Sequence, residues 1–256
     1  GTTIAARNVI SGNNDSGVHL VLGTSWNRVQ GNFIGCDISG TLPLGNRSLG
    51  VKINSSGNTI GGVEAEAGNQ ICYSSGPGIW VKGGANNSIL GNAVYANAAL
   101  GIDLGPTGIT PNDLGDPDTG ANFSQNYPVL VSACVCGNLL RITGTLNTIP
   151  NASNSRIEFF ANDACDPSGQ GEGEIFLGFT SVSTDAVGNA DFTATLPVSV
   201  PVGRFITATA TLSNNTSEFS PGVPVTGPAL TFDVVPEGLV CSWPEWVTGC
   251  QLMQTE

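Results

Sequence analysis

The sequence predicts an all-β chain: a short solenoid of stacked coils, then a β-sandwich. One phrase recurs as Asn8-Val-Ile-Ser-Gly-Asn13, Asn27-Arg-Val-Gln-Gly-Asn32, Asn58-Thr-Ile-Gly-Gly62 and Asn87-Ser-Ile-Leu-Gly-Asn92. A second recurs between its copies as Gly17-Val-His-Leu20, Gly50-Val-Lys-Ile53, Gly78-Ile-Trp-Val81 and Gly101-Ile-Asp-Leu104. An imperfect period of roughly 20 to 30 residues built from short strands is the mark of a solenoid. Beyond residue 128 the repeats stop, and longer runs of alternating apolar and polar residues take over.

Residues 1–127 are therefore read as four to five coils. Each supplies short strands such as Asn-x-Ile and Gly-Val-x-Ile, with every Ile or Val stacked on that of the next coil. The asparagines fall at the corners, where their amides hydrogen-bond up and down the stack. At about 4.8 Å per strand the stack is roughly 20 Å tall. The Pro/Asp/Gly-rich passage from Gly105 to Asn122 ends the last coil and serves as cap and linker.

Residues 128–226 form the second unit. The runs 129–135, 139–146, 156–160, 175–182, 190–200, 205–212 and 217–225 read as strands, and seven strands in about 100 residues suggest an immunoglobulin-like β-sandwich. Residues 227–256 are a tail too short to fold without a bridge or a docking surface. It carries Trp243 and Trp246, read as aromatics that dock on a neighbouring surface, with a sugar-stacking platform as the alternative.

The charge balance narrows the partners. Twenty acidic residues stand against 8 Lys plus Arg, a net charge of −12 that repels phosphate backbones and anionic lipid heads. Nucleic acid is not an expected partner, and no apolar run is long enough for membrane insertion as a helix. The chain starts inside a repeat-like phrase at Gly1, which reads as a mature or trimmed product.

Cys36, Cys72, Cys134, Cys136, Cys165, Cys241 and Cys250 match no zinc spacing, and His19 is the only histidine. Disulfides in an oxidising, extracellular compartment account for them better. Cys36 and Cys72 lie in neighbouring repeats and can staple adjacent coils. Cys241 and Cys250 enclose a short loop, and Cys165 with Cys134 or Cys136 is a third candidate bridge. The odd count leaves one thiol free or paired with another chain. Eight Asn-x-Ser/Thr sequons occur, at Asn14, Asn46, Asn54, Asn86, Asn122, Asn151, Asn214 and Asn215.

Asp113, Asp116, Asp118 and Asn122 fall within ten residues, and Asp116-x-Asp118-x-Gly120 has the alternation by which loops wrap oxygen ligands round calcium. The alternative is a loop whose Asp and Asn side chains bond their own backbone. Calcium, if held there, would staple the domain junction. Glu172 and Glu174 in a Gly-rich turn read either as a cation site or as an exposed loop.

The Asn-x-Ile-x-Gly-Asn and Gly-Ile/Val-x-Ile phrases resemble the right-handed parallel β-helix repeats of pectin-lyase-like extracellular proteins, over about half of the chain. Cys165-Asp-Pro-Ser-Gly, Gly171-Glu-Gly-Glu-Ile-Phe-Leu-Gly178 and Asn215-Thr-Ser-Glu-Phe-Ser220 resemble modules that follow such β-helices in secreted bacterial proteins. The resemblance implies a right-handed parallel β-helix, with polysaccharide hydrolases and lyases among its relatives. The hydrolases similar to polygalacturonase use a Gly-His-Gly and an Arg-Ile-Lys, and this chain has neither. The lyases combine calcium-held uronate with a positioned Arg or Lys. Here Lys52, Lys82 and His19 read as solvent-facing strand residues, and Asp37 and Asp103 as corner caps.

The expectation is a non-catalytic secreted surface or structural protein. A first coil without a covering helix and a Trp-bearing tail suggest head-to-tail assembly with itself into a filament. A carbohydrate-binding adhesin on surface glycans is the alternative, and a polysaccharide lyase or hydrolase the second alternative.

Overall fold

A computed structural model describes residues 1, 3–229, 231–236 and 238–242. The first half is laid down as short strands: β1 (Val9–Ile10), β2 (Val18–Leu20), β3 (Arg28–Val29), β4 (Phe33–Ile34), β5 (Val51–Ile53), β6 (Thr59–Gly61), β7 (Gln70–Cys72), β8 (Ile79–Val81), β9 (Ser88–Leu90), β10 (Ala93–Tyr95) and β11 (Ile102–Leu104). They sort into three parallel sheets, β1-β4-β7-β10, β11-β8-β5-β2 and β3-β6-β9. The chain visits the three in rotation, so each circuit is one coil of a β-helix of about four coils.

The repeated phrases explain the stacking. The second phrase builds the middle sheet, with Val51 in register with Ile79 and Ile79 with Ile102, while Ile53, Val81 and Leu104 form a parallel column. Ile34, Ile71 and Val94 stack likewise in the first sheet. All nine side chains are buried in one apolar column.

Asparagines hold the corners as expected. Asn8 donates to the Asn32 carbonyl oxygen (2.7 Å), Asn32 to Asn69 (2.9 Å) and Asn69 to Asn92 (2.9 Å). Successive rungs are 24, 37 and 23 residues apart. The loop from Cys36 to Leu49 lengthens the second coil without breaking the ladder. A second ladder runs from Asn27 through Asn58 to Asn87, and Asn13 pairs with Asn46 at the third corner.

The second half contains β12 (Val129–Cys136), β13 (Leu139–Asn147), β14 (Ser155–Asn162), β15 (Ile175–Val182), β16 (Asn189–Leu196), β17 (Phe205–Leu212), β18 (Asn215–Thr216) and β19 (Val223–Thr226). Its order is β15-β14-β17-β19-β12-β13-β16, with β18 on β17. An immunoglobulin-like sandwich would keep two sheets apart. Here β19 pairs antiparallel with β17 and parallel with β12, so the hydrogen-bonded path is unbroken. Its two end strands, β15 and β16, come back into contact, and the mixed sheet is nearly closed into a barrel. Phe159 and Phe192 meet in its core with ring centroids 5.9 Å apart.

The predicted strand over 217–225 divides. Only Val223–Thr226 joins the sheet, and the segment before it turns into the open end of the β-helix. Phe219, together with Phe160 from β14, packs in the β-helix core rather than the barrel core, the two rings edge to face at 5.2 Å. The tail contributes an antiparallel hairpin, β20 (Thr231–Val235) with β21 (Gly238–Ser242). Trp243, Trp246 and Cys250, and the side chain of Cys241, lie outside the described residues.

Candidate functional site

Three buried glutamates receive the last coil of the β-helix. Glu158 on β14 accepts the Gly91 N–H at 2.8 Å, continuing the first asparagine corner. Glu172 accepts both the backbone N–H (3.2 Å) and the side-chain amide (3.0 Å) of Asn97. Glu218 accepts Leu104 N–H through one oxygen and Thr110 N–H through the other, each at 3.0 Å. The second corner ends on Asn122, whose carbonyl oxygen accepts Asn87 N–H at 3.0 Å and whose amide donates to Thr216. Open coil ends present unpaired N–H groups, and carboxyl oxygens accept from them.

Burial sets the protonation of this seam. It pushes Glu172 and Glu218 each up to about 7, Asp103 up to about 6, and raises Glu158 against the pull of Gly91 and Arg156. Asp103, read from sequence as a corner cap, is almost fully buried and accepts the Gly108 N–H at 3.3 Å.

A different chemistry occupies the outer face of the middle sheet. His19, Lys52, Trp80 and Asp103 share one column because each is the central residue of a Gly-Val-x-Ile phrase. The Lys52 and Lys82 ammonium groups each lie 5.5 Å from the Trp80 ring centroid. Trp80 is held in place by its indole N–H, which donates to the Gly105 carbonyl at 2.9 Å. Beside it opens a cleft of about 520 Å³ with a glycine floor, lined by Lys82, Gly83, Gly84, Gly105 and Gly120. Both lysines of the chain thus flank one indole, and among the described residues neither makes an ion pair. Sequence reasoning placed the lysines in solvent but did not join them to Trp80. The signal was present, since positions 52 and 80 are equivalent in the repeat.

A larger groove of about 650 Å³ runs along the first sheet where it meets the barrel. Its guanidinium groups already have acidic and aromatic partners: Arg7 pairs with Glu66 at 2.8 Å through one terminal nitrogen and lies 4.5 Å over Phe33, while its buried Nε has no partner. Arg156 pairs with Glu158 at 2.8 Å and stacks 3.5 Å over Phe179. A ligand there would compete with internal partners, whereas one at Trp80 would meet two free ammonium groups.

Two members of the aspartate cluster, Asn122 and Asp116, have structural tasks, while the buried Oδ1 atoms of Asp113 and Asp116 accept no hydrogen bond. Asn122 is fully buried as a ladder rung, so it is turned away from the loop that was to hold calcium. Asp116 accepts hydrogen bonds from Gln125 (2.7 Å) and Thr148 (2.6 Å), and burial raises it to about 6. Asp113 and Asp118 stand near enough to raise Asp116 further. Among the described residues no three His, Cys, Asp or Glu side chains converge as a metal-binding group. Glu172, half of the other suggested cation site, is spent on Asn97.

Cys36, Cys72, Cys134 and Cys165 carry free thiols, and Cys136 is disulfide-bonded. The bridge expected from Cys165 to Cys134 or Cys136 is not formed: Cys165 is exposed beside Gly222 at the start of β19, whereas Cys134 pairs with Thr226 at its other end. The sequons at Asn46, Asn122 and Asn215 are buried, which closes them to glycosylation in the folded chain.

No family model matches the chain, and no curated protein matches it. Among solved structures it is similar to the β-glucosidase EmGH1 of Erythrobacter marinus, at 16% identity and a TM-score of 0.25. The match covers 42% of this chain and 16% of that one, and it carries no argument.

Proposed function

We propose that the chain is a non-catalytic extracellular module with a structural or surface role. The observation that supports this reading is the use made of the buried acids. Glycoside chemistry needs two carboxyl groups flanking an open bond. Glu158, Glu172 and Glu218 instead close the end of a solenoid, each holding backbone N–H groups. The acids with raised proton affinity are therefore fasteners. Strands β1, β2 and β3 are the outer strands of their sheets, and strand edges pair with other chains. A head-to-tail filament would join those edges to the segment beyond residue 242, which lies outside the described residues. Electron microscopy of the purified chain tests this form: ordered fibres with a short axial repeat support it, and dispersed particles at high concentration oppose it.

A second reading, a carbohydrate-binding adhesin, is favoured by the Lys52–Trp80–Lys82 arrangement. An indole flanked by ammonium groups suits a sugar ring bearing an acidic substituent. Titration calorimetry with acidic and neutral oligosaccharides should show binding of the acidic set alone, weakened about tenfold or more by Trp80→Ala. Heat changes identical for wild type and Trp80→Ala would remove this reading.

A further inference from the structure

We propose that Cys36 and Cys72 form a disulfide that ties the second coil of the β-helix to the third. Strands β4 and β7 are direct neighbours, with Ile34 in register with Ile71, so Gly35 faces Cys72 and the two cysteines sit at the same corner one coil apart, offset by one residue. Adjacent strands lie about 4.8 Å apart, within the Cα separation that a disulfide spans. Gly35 makes the approach possible. Its φ is +93°, and an added Cβ would lie 1.8 Å from the Cys72 carbonyl oxygen. The backbones are therefore pressed together beside the two sulfurs, and the two thiols are close enough to influence each other's protonation.

Both cysteines are fully buried, and their surroundings fix them further. Ser11 donates to the Cys36 carbonyl at 2.7 Å, and Cys36 bridges to Pro43 across the loop of its own coil. The Tyr95 hydroxyl and the Gln70 amide lie against Cys72. The neighbouring Cys72 thiol lowers the proton affinity of Cys36, and either thiol of the facing pair can open the exchange.

The oxidant is a small-molecule disulfide. Cys36 thiolate attacks one of its sulfurs and expels the other as a thiolate, leaving a mixed disulfide on Cys36. Cys72 thiolate then attacks the Cys36 sulfur and expels the second small thiol. The cysteine pair loses two electrons and two protons, and the small disulfide gains them. Because the site is sealed in the folded chain, the bond forms as the coils stack.

The full chain, refolded from the reduced state with oxidised glutathione, is denatured without reductant, alkylated and digested with trypsin. Arg28 and Arg47 bracket Cys36, and Lys52 and Lys82 bracket Cys72, so the two cysteines fall on separate peptides. Mass spectrometry should find these peptides joined. Closing a loop on the order of 35 to 40 residues should make reduction lower Tm by about 8–15 °C. The double variant Cys36→Ala/Cys72→Ala should show no such reduction-dependent shift from this site. Both cysteines recovered alkylated, or either joined to another cysteine, overturns the proposal. Should the double variant fail to fold, the peptide map of the wild-type chain still decides.

Discussion

Each rung asparagine does two jobs. Asn69 accepts from the backbone N–H (3.0 Å) and side chain (2.9 Å) of Asn32, and donates to Val29 (2.7 Å) and Asn92 (2.9 Å). Asn69→Ala leaves buried donors and an acceptor unpartnered, so urea unfolding should show a loss of about 2–4 kcal/mol; a loss below the error of the fit would mean the ladder is ornamental. The seam glutamates behave differently. Glu172 and Glu218 stand near 7 in the folded chain against about 4.3 unfolded. With the folded value raised, their contribution to stability is complete below about pH 4.3 and is lost as pH rises from there through 7. Asp166 beside Glu172 and Asp103 beside Glu218 push in the same direction. Thermal melts should therefore fall from pH 5 to pH 8, and Glu172→Gln with Glu218→Gln should flatten that slope. The ladder was legible because its asparagines repeat. The glutamates were not, because a single acid 67 to 114 residues from its partner leaves no periodic trace.

At the scale of elements, period decided what was readable. The Gly-Val-x-Ile phrase located all of β2, β5, β8 and β11, since a strand buried on one side must alternate. Ile71 lies between Ile34 and Val94 with no exposed surface. Ile71→Ala should cost about 2–5 kcal/mol, because the coils above and below cannot collapse into the cavity without giving up their ladder. Chemical denaturation measures it, and a cost under 1 kcal/mol would contradict a tightly stacked column. Residues 217–222 misled for an opposite reason. Ser-Glu-Phe-Ser alternates as a strand does, but Glu218 and Phe219 both turn to the β-helix end, one to bond and one to pack. Alternation cannot distinguish a strand from a plug that happens to have the same spacing. Barrel closure was equally hidden, since it depends on β19 pairing to both sides.

The whole molecule is a β-helix stoppered by a barrel. Phe160 and Phe219 enter the β-helix core, and the asparagine corners end on groups the second half holds in place. Such a joint couples the two halves, so a mutation at the plug should be felt by both. Phe219→Ala should cost about 3–5 kcal/mol and separate the melting of the halves. What the molecule offers to others is then its outer faces, with the Trp80 face the only place where both lysines gather. Scanning calorimetry of the wild-type chain at pH 5 and pH 8 tests the stoppered-rod account most directly. The account predicts a single transition at both pH values, at a higher temperature at pH 5. Two independent transitions at either pH, or one that does not move with pH, would contradict it.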